Sequence, residues 1–213
     1  VGVAEAGGTA SAIRDYIQQY YDTHGLTFVL LVGDADQLPT LRAHLGSSDP
    51  SYALVAGTDV YPDILVGRFS AENVAEVETQ VQRSIEYESQ PQQGAEWYHR
   101  GAGIASDLGP GDDGEFDDEH MDNIRTDLLS STYTLVDQIY DPDATSALVT
   151  IAINEGRGIV NYTGHGATAG WTTSGFTTGD VNALTNENRL PFIWSVACYN
   201  GAFEYTTCFG ETS

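Results

Sequence analysis

The sequence has no lysine, only eight arginines and only two cysteines in 213 residues. With 31 acidic residues its formal net charge at pH 7 is −23, so it lacks the clustered cations that binding to a nucleic-acid backbone requires. Two cysteines are too few for a disulfide scaffold and must be considered individually. No apolar run approaches the roughly 20 residues of a membrane-spanning helix. We therefore expect no nucleic-acid partner and no membrane span.

The sequence instead alternates short apolar runs with segments of helical periodicity. The apolar runs predict strands at 26–33, 52–56, 64–66, 101–106, 132–139, 158–162 and 191–197, and helices are predicted between them. Strands alternating with helices imply right-handed crossovers and a mostly parallel sheet covered on both faces. We predict an α/β fold in two abutting subdomains, an N-terminal one over 1–95 and a catalytic one over 96–213.

Polar or reactive side chains follow four of the predicted strands. They are Asp34 after LLVG, Asp107 after GIAS, His165 after NYTG and Cys198 after SVA. In an open parallel sheet, ligands bind beyond the carboxyl ends of the strands. Each residue alone has a plain structural explanation, since a cysteine ending a strand is often buried and inert and an aspartate can cap a helix or turn. Their occurrence together at one edge of the sheet indicates a ligand-binding or catalytic site.

His165 and Cys198 have the chemistry of a thiol enzyme. A cysteine nucleophile needs a neighbouring base, and an imidazole at an adjacent strand end can serve. The two residues are 33 positions apart (198 − 165), enough for one crossover and a return strand. The backbone N–H groups of Gly166 and Cys198 would then be placed to bind an oxyanion. The pattern predicts acyl transfer or hydrolysis.

Longer segments around these residues resemble one known family. NYTGHGATAGW, LTNENRLPFIWSVACYNGAF and CFGE, with LLVGD, AGTDVYPDILVGRFS and GIASDLGPGDDGEFDDEH upstream, are similar to the gingipain-type cysteine peptidases of family C25. The resemblance implies a caspase-like, Rossmann-like three-layer sandwich. It also implies that Cys198 is the nucleophile, His165 the general acid/base and Asp107 the third, acidic member. Cys208, in the CFGE segment, is expected to be a buried free thiol.

The same resemblance implies a specificity pocket for a basic P1 residue, the residue before the scissile bond. The GEFD segment would place Asp117 at the base of this S1 pocket, with Thr163 and Val196 lining it. A carboxylate facing a guanidinium forms a charge-assisted, bidentate pair, so cleavage after arginine is favoured, with lysine as the alternative. Without the family match, Asp117 would be one more solvated acid.

Calcium is the cofactor expected. The segment from Asp59 to Asp63 alternates oxygen donors, which suit a hard cation. The resemblance implies two structural calcium sites. The first would use Ala56 and Tyr61 through their carbonyls and Asp59 and Asp63 through their side chains; the second would join Asp34, the Phe203 carbonyl and Glu211.

The resemblance also bears on partners and location. Family catalytic domains continue past the CFGE element and this chain begins at Val1, so we expect a processed piece completed at its C-terminal side by a second chain or segment. We expect protein or peptide substrates and a secreted or cell-surface location. Two other functions stay open: a catalytically silent binding module of the same fold, and a thiol hydrolase acting on small acyl or amide substrates.

Overall fold

The computed structural model describes residues 2–44, 46–111, 114–204 and 207–212. The chain forms two compact units, the first made of Val1–Ser84 and Ala202–Thr206 and the second of Ile85–Gly201 and Thr207–Ser213. The division falls inside one long helix, earlier than the subdomain boundary predicted after residue 95. None of the described helices is both long and apolar enough to cross a bilayer.

The described part of the first unit is built on a two-stranded parallel sheet. Its elements are α1 (Val3–Ala6), α2 (Ala10–His24), β1 (Phe28–Val32), β2 (Arg42–Ala43), β3 (Gly46–Ser47), a 3-10 helix (Asp49–Ala53) and β4 (Leu65–Phe69), followed by α3 (Val74–Ser89), which continues into the second unit. β1 pairs with β4 in parallel. The Thr9 side chain caps α2 by accepting a hydrogen bond from the Ala12 N–H, and α2 buries Ile13 and Ile17 in the core of this unit.

The second unit contains a four-stranded parallel sheet in its described part. Its elements are a 3-10 helix (Glu96–His99), β5 (Arg100–Ala105), α4 (Asp117–Ser130), β6 (Leu135–Tyr140), α5 (Ser146–Glu155), β7 (Ile159–Thr163), β8 (Gly166–Ala167), β9 (Gly170–Trp171), β10 (Phe176–Thr177), α6 (Thr178–Asn182), β11 (Phe192–Val196) and α7 (Phe209–Thr212). The strand order is β11-β7-β5-β6, and β8, β9 and β10 form a small antiparallel sheet.

Different elements cover the two faces of the four-stranded sheet. On one face Tyr162 packs in a buried cluster with Trp171, Phe176 and residues of α5. On the other face α4 crosses Gly103 so closely that a β-carbon there would lie 2.6 Å from Cγ of Met121. A mostly parallel sheet between two such layers confirms the predicted α/β fold.

The predicted strand at 52–56 is wrong. The chain forms the 3-10 helix Asp49–Ala53 instead, with Pro50 in its first turn. Proline has a fixed φ and no N–H, so it suits a helical first turn better than a strand. Tyr52 is fully buried, and its hydroxyl donates a hydrogen bond to the Pro39 carbonyl at 2.5 Å. The apolar residues of this segment therefore pack into the core from a helical turn.

Candidate active site

The strands that precede His165 and Cys198 are neighbours in the sheet. β7 and β11 pair in parallel with Thr163 opposite Val196, so both end at the same edge. The Gly164 N–H donates a hydrogen bond to the Val196 carbonyl at 3.3 Å, which keeps the chains together one residue further. The loops that carry His165 and Cys198 therefore begin side by side.

Gly166 and Cys198 are in direct backbone contact. A β-carbon built on Gly166 would overlap the carbonyl oxygen of Cys198 and would lie 2.8 Å from the β-carbon of Ala197. Only glycine fits this approach without a shift of one backbone. The segment that carries His165 thus lies against the peptide of Cys198.

The backbone of His165 is held from the buried side. The Tyr162 hydroxyl donates to the His165 carbonyl at 2.5 Å, and the Thr172 N–H donates to the same oxygen at 2.9 Å. Tyr162 is fully buried and stacks on Trp171, with ring centroids 4.7 Å apart. Burial raises the pKa of the Tyr162 phenol, so its hydroxyl keeps the proton that it donates. The side chain of His165 is left exposed.

The two cysteines have different environments and are not joined to each other. Cys198 is an exposed free thiol, whereas Cys208 is a free thiol that is 1% exposed. Burial, followed by the nearby charge of Glu211, raises the pKa of Cys208 to about 11. The expectation of a buried free thiol at position 208 is confirmed, and the nucleophile candidate is not held in a disulfide.

Asp107 lies two residues past the end of β5, one of the two strands that pair with β7. It follows Ser106, whose N–H donates to the Thr163 carbonyl at 3.1 Å. Asp141 lies beside the same strand end, since its N–H donates to the Ala105 carbonyl at 3.0 Å, and burial, followed by the charge of Asp107, raises its pKa. No hydrogen bond joins Asp107 to His165 in the part of the chain that the structure describes.

The three residues expected to form the S1 pocket share one face of the sheet. Asp117 is the first residue of α4, and its carboxylate accepts a short hydrogen bond from the Ser106 hydroxyl. Thr163 is the last residue of β7 and Val196 is the last residue of β11, and the two lie opposite each other. The strand register places both on the face of the sheet where α4 lies. The structure therefore brings Asp117, Thr163 and Val196 to the same face and the same edge.

The first calcium set lies in one loop of the first unit. Asp63 Oδ2 accepts hydrogen bonds from the N–H groups of Val55 at 3.0 Å and Ala56 at 2.8 Å, and Asp59 Oδ1 accepts one from the Tyr61 N–H at 2.9 Å. All four predicted ligands offer oxygen, so the donor chemistry fits calcium. Each predicted set contains only two acidic side chains, and no group of three or more His, Cys, Asp or Glu residues suited to a metal occurs among the described residues.

The second calcium set is divided between the two units. Asp34 is buried in the first unit, where its carboxylate accepts hydrogen bonds from the Ala35 N–H at 2.6 Å and the Ser70 hydroxyl at 3.4 Å. Phe203 belongs to the first unit and Glu211 to the second. This site therefore remains a prediction.

Sequence reasoning missed two polar residues at this edge, Ser106 and Asn200. Both are buried and hydrogen-bonded to other parts of the site, Ser106 to Asp117 and Asn200 to β8 and β9. Their one visible feature in the sequence is a position within a few residues of a predicted strand end.

A parallel α/β sheet whose neighbouring strands end in one loop with an exposed cysteine and one with an exposed histidine is the arrangement expected of a cysteine peptidase of the caspase-like kind. The chain belongs to peptidase family C25, whose sequence profile matches residues 2–213. It is 41% identical over 208 residues to Gingipain R2 of Porphyromonas gingivalis, covering 95% of this chain and 28% of that protein. It is 26% identical over 220 residues to Lys-gingipain HG66 of the same species, covering 98% of this chain and 12% of that protein.

Solved structures agree with this assignment. The crystal structure of the Arg-specific cysteine proteinase gingipain R (RGPB) matches with a TM-score of 0.95 and 39% identity, over 99% of this chain and 50% of that one. A complex of Porphyromonas gingivalis RgpB pro- and mature domains matches with the same TM-score over 51% of its chain. The chain thus spans about half of these structures and just over a quarter of Gingipain R2.

Proposed function

We propose that the chain carries the catalytic centre of a cysteine endopeptidase that cleaves after a basic P1 residue, with arginine preferred to lysine. The observation that carries this proposal is the contact of Gly166 with the Cys198 carbonyl at the paired ends of β7 and β11. Membership of peptidase family C25 supports the same chemistry.

Peptide hydrolysis follows from three groups. His165 removes the proton from the Cys198 thiol, and the thiolate attacks the scissile carbonyl carbon. The N–H groups of Gly166 and Cys198 bind the oxyanion that forms. The tetrahedral intermediate collapses to a thioester as His165 returns the proton to the leaving amine, and water activated by His165 then releases the acid and restores the thiol. Asp107 is the proposed third member and would orient the imidazole.

Specificity is assigned to Asp117. Its carboxylate is fixed by the Ser106 hydroxyl and shares a face of the sheet with Thr163 and Val196, which would form the pocket walls. A fixed carboxylate in a pocket favours the planar, bidentate guanidinium over the compact ammonium of lysine. The higher identity to Gingipain R2 than to Lys-gingipain HG66 supports arginine.

Calcium, location and partners form the wider part of the proposal. Calcium would be held by the oxygen donors of Ala56, Asp59, Tyr61 and Asp63, and a second ion by Asp34, Phe203 and Glu211. Its role would be structural, because none of these residues is among the proposed catalytic groups. A secreted or cell-surface location, implied by membership of family C25, is part of the same proposal. Protein substrates and a second chain produced by processing belong to the same proposal.

A panel of fluorogenic peptides that differ only at P1 (Arg, Lys or Leu) tests this function in the full-length protein, with calcium and reductant present. We expect hydrolysis of the Arg peptide, its loss in Cys198→Ala, and a large selective loss in Asp117→Asn. Asp118→Asn, the next position in α4, is the matched control and should keep wild-type rates.

The other outcomes distinguish the alternatives. No hydrolysis of any peptide by the wild-type protein would favour the silent binding module. Cleavage that is independent of P1 and unaffected by Asp117→Asn would favour a thiol hydrolase of small substrates.

A further inference from the structure

The turn that carries Cys198 is held by one buried amide. Asn200 is two residues past Cys198 and only 5% exposed. Tyr199, between them, has φ 62°, a left-handed conformation that turns the chain sharply and sends the side chain of Asn200 inward. The side chain of Tyr199 itself is exposed. Asn200 is therefore the residue of this turn that connects it to the interior.

All the hydrogen-bonding groups of this amide are used. Nδ2 of Asn200 donates to the carbonyls of Ala167 at 2.6 Å and Gly170 at 2.9 Å. Oδ1 accepts from the Ser195 hydroxyl at 2.8 Å, and the Ser195 oxygen in turn accepts from Nε1 of Trp171 at 2.8 Å. Only this orientation of the amide directs donors at the two carbonyls.

These bonds connect the two loops that carry the proposed catalytic groups. Ala167 directly follows the His165–Gly166 segment and belongs to β8, while Ser195 lies in β11 just before Cys198. The Asn200 backbone carbonyl also accepts a hydrogen bond from the Gly210 N–H at 2.8 Å. The amide thus fixes the Cys198 turn on one side to its own strand and on the other to the segment that follows His165.

We propose that Asn200 is a positioning residue that sets Cys198 against His165, with Ser195 orienting its amide. The proposal rests on the proposed function. Asn200 does not touch the substrate in this scheme. Its effect is to fix the separation of thiol and imidazole, and misplacing a reacting group by about 1 Å can cost roughly 100-fold in rate.

The test uses the full-length enzyme and the variants Asn200→Ala, Ser195→Ala and Ser195→Thr. Asn186→Ala is the matched control, because the Nδ2 of Asn186 also donates to a backbone carbonyl, that of Arg189 at 3.0 Å, but in the loop before β11 and so away from the carboxyl edge. We expect Asn200→Ala to lower kcat for the Arg peptide by roughly 10- to 100-fold with little change in KM. Ser195→Ala should show part of this loss and Ser195→Thr, which keeps the hydroxyl, should restore it.

A second readout does not depend on turnover. An imidazole beside a thiol raises its reactive thiolate fraction, so we expect iodoacetamide at pH 7 to modify Cys198 more slowly in Asn200→Ala than in the wild type. Unchanged kcat and unchanged alkylation in Asn200→Ala would overturn the proposal. If Asn186→Ala lowered kcat and the alkylation rate as much as Asn200→Ala does, the proposal would also be overturned, because both losses would then reflect general destabilisation.

The two proposals fail in different ways. A wild-type protein no more active than Cys198→Ala would refute the peptidase function. In that case the alkylation rate alone decides the role of Asn200: slower modification in Asn200→Ala supports positioning, and an unchanged rate rejects it.

Discussion

The α-carbon of Gly166 packs on the carbonyl oxygen of Cys198 with no room for a side chain between them. Alanine at position 166 would force one of the two backbones to move, and with it the proposed thiol or imidazole. We expect Gly166→Ala to lower kcat/KM for an Arg peptide by about 100-fold or more. Steady-state kinetics on the purified full-length variant measures this.

A neighbouring glycine provides the control for this substitution. A β-carbon on Gly201 would meet no atom within 4 Å, so Gly201→Ala should retain wild-type kinetics although it lies three residues from Cys198. Full activity in Gly166→Ala would show that the contact with Cys198 is not needed for catalysis.

The Cys208 thiol should not react with alkylating reagents in the folded protein. Because burial raises its pKa to about 11, almost no thiolate is present at pH 7 and the side chain is inaccessible. We expect iodoacetamide to modify Cys198 alone in the folded protein, as read by peptide mass spectrometry. Cys208→Ala should keep kcat and lower the free energy of unfolding by about 1 kcal/mol. Modification of Cys208 at a rate comparable with that of Cys198 would contradict this prediction.

Asp141 should destabilise the fold at neutral pH. Its pKa in the folded protein is raised above the ordinary value of 3.8 by burial and then by Asp107, so the ionised carboxylate is less favourable folded than unfolded. This unfavourable contribution is fully present at pH 7 and disappears as the pH falls through the raised pKa to 3.8 and below. We therefore expect Asp141→Asn to raise Tm at pH 7. This gain in Tm should vanish below pH 3.8, the ordinary pKa of the aspartate side chain.

The exposed Asp143 in the same turn controls for net charge. Asp143→Asn changes the charge equally but should raise Tm less at pH 7. A gain in Asp141→Asn that persisted unchanged at acidic pH would rule out the titration of Asp141 as its cause.

Calcium removal should lower thermal stability. An ion bound only by the folded protein stabilises it by about 2.7 kcal/mol at a concentration 100 times its Kd. We expect EGTA to lower Tm and added calcium to restore it, with a smaller effect in Asp59→Asn, which weakens the proposed loop site. A Tm that is insensitive to the chelator would count against both proposed calcium sites.

Local sequence patterns are sufficient to predict most of the strands and the positions of the candidate catalytic pair at their ends. The apolar runs before His165 and Cys198 are β7 and β11, and their separation of one crossover makes them neighbours in the sheet. The predicted strand ends place His165 and Cys198 at one edge of the sheet, as the paired ends of β7 and β11 do in the structure. These features depend on period, order and residue type, which a single sequence displays.

Other features depend on contacts between distant positions. The Ser106–Asp117 hydrogen bond and the bonds from Asn200 to β8 and β9 join separate segments, and no periodicity predicts them. The error at 52–56 has two causes: Pro50, which is visible in the sequence, favours the 3-10 helix, and the buried Tyr52 hydroxyl bonds to the Pro39 carbonyl, a contact that the sequence does not display. Tertiary packing there outweighs the strand propensity of a short apolar run.

The most direct measurement is to identify the residue that a mechanism-based reagent modifies. The full-length protein would be treated with a peptidyl-arginine chloromethyl ketone, which alkylates a nucleophile next to a bound P1 arginine, and then digested for mass spectrometry. We predict one adduct, on Cys198, that is absent in His165→Ala and strongly reduced in Asp117→Asn. An adduct on another residue, or full labelling of Cys198 without His165, would contradict the proposed catalytic pair.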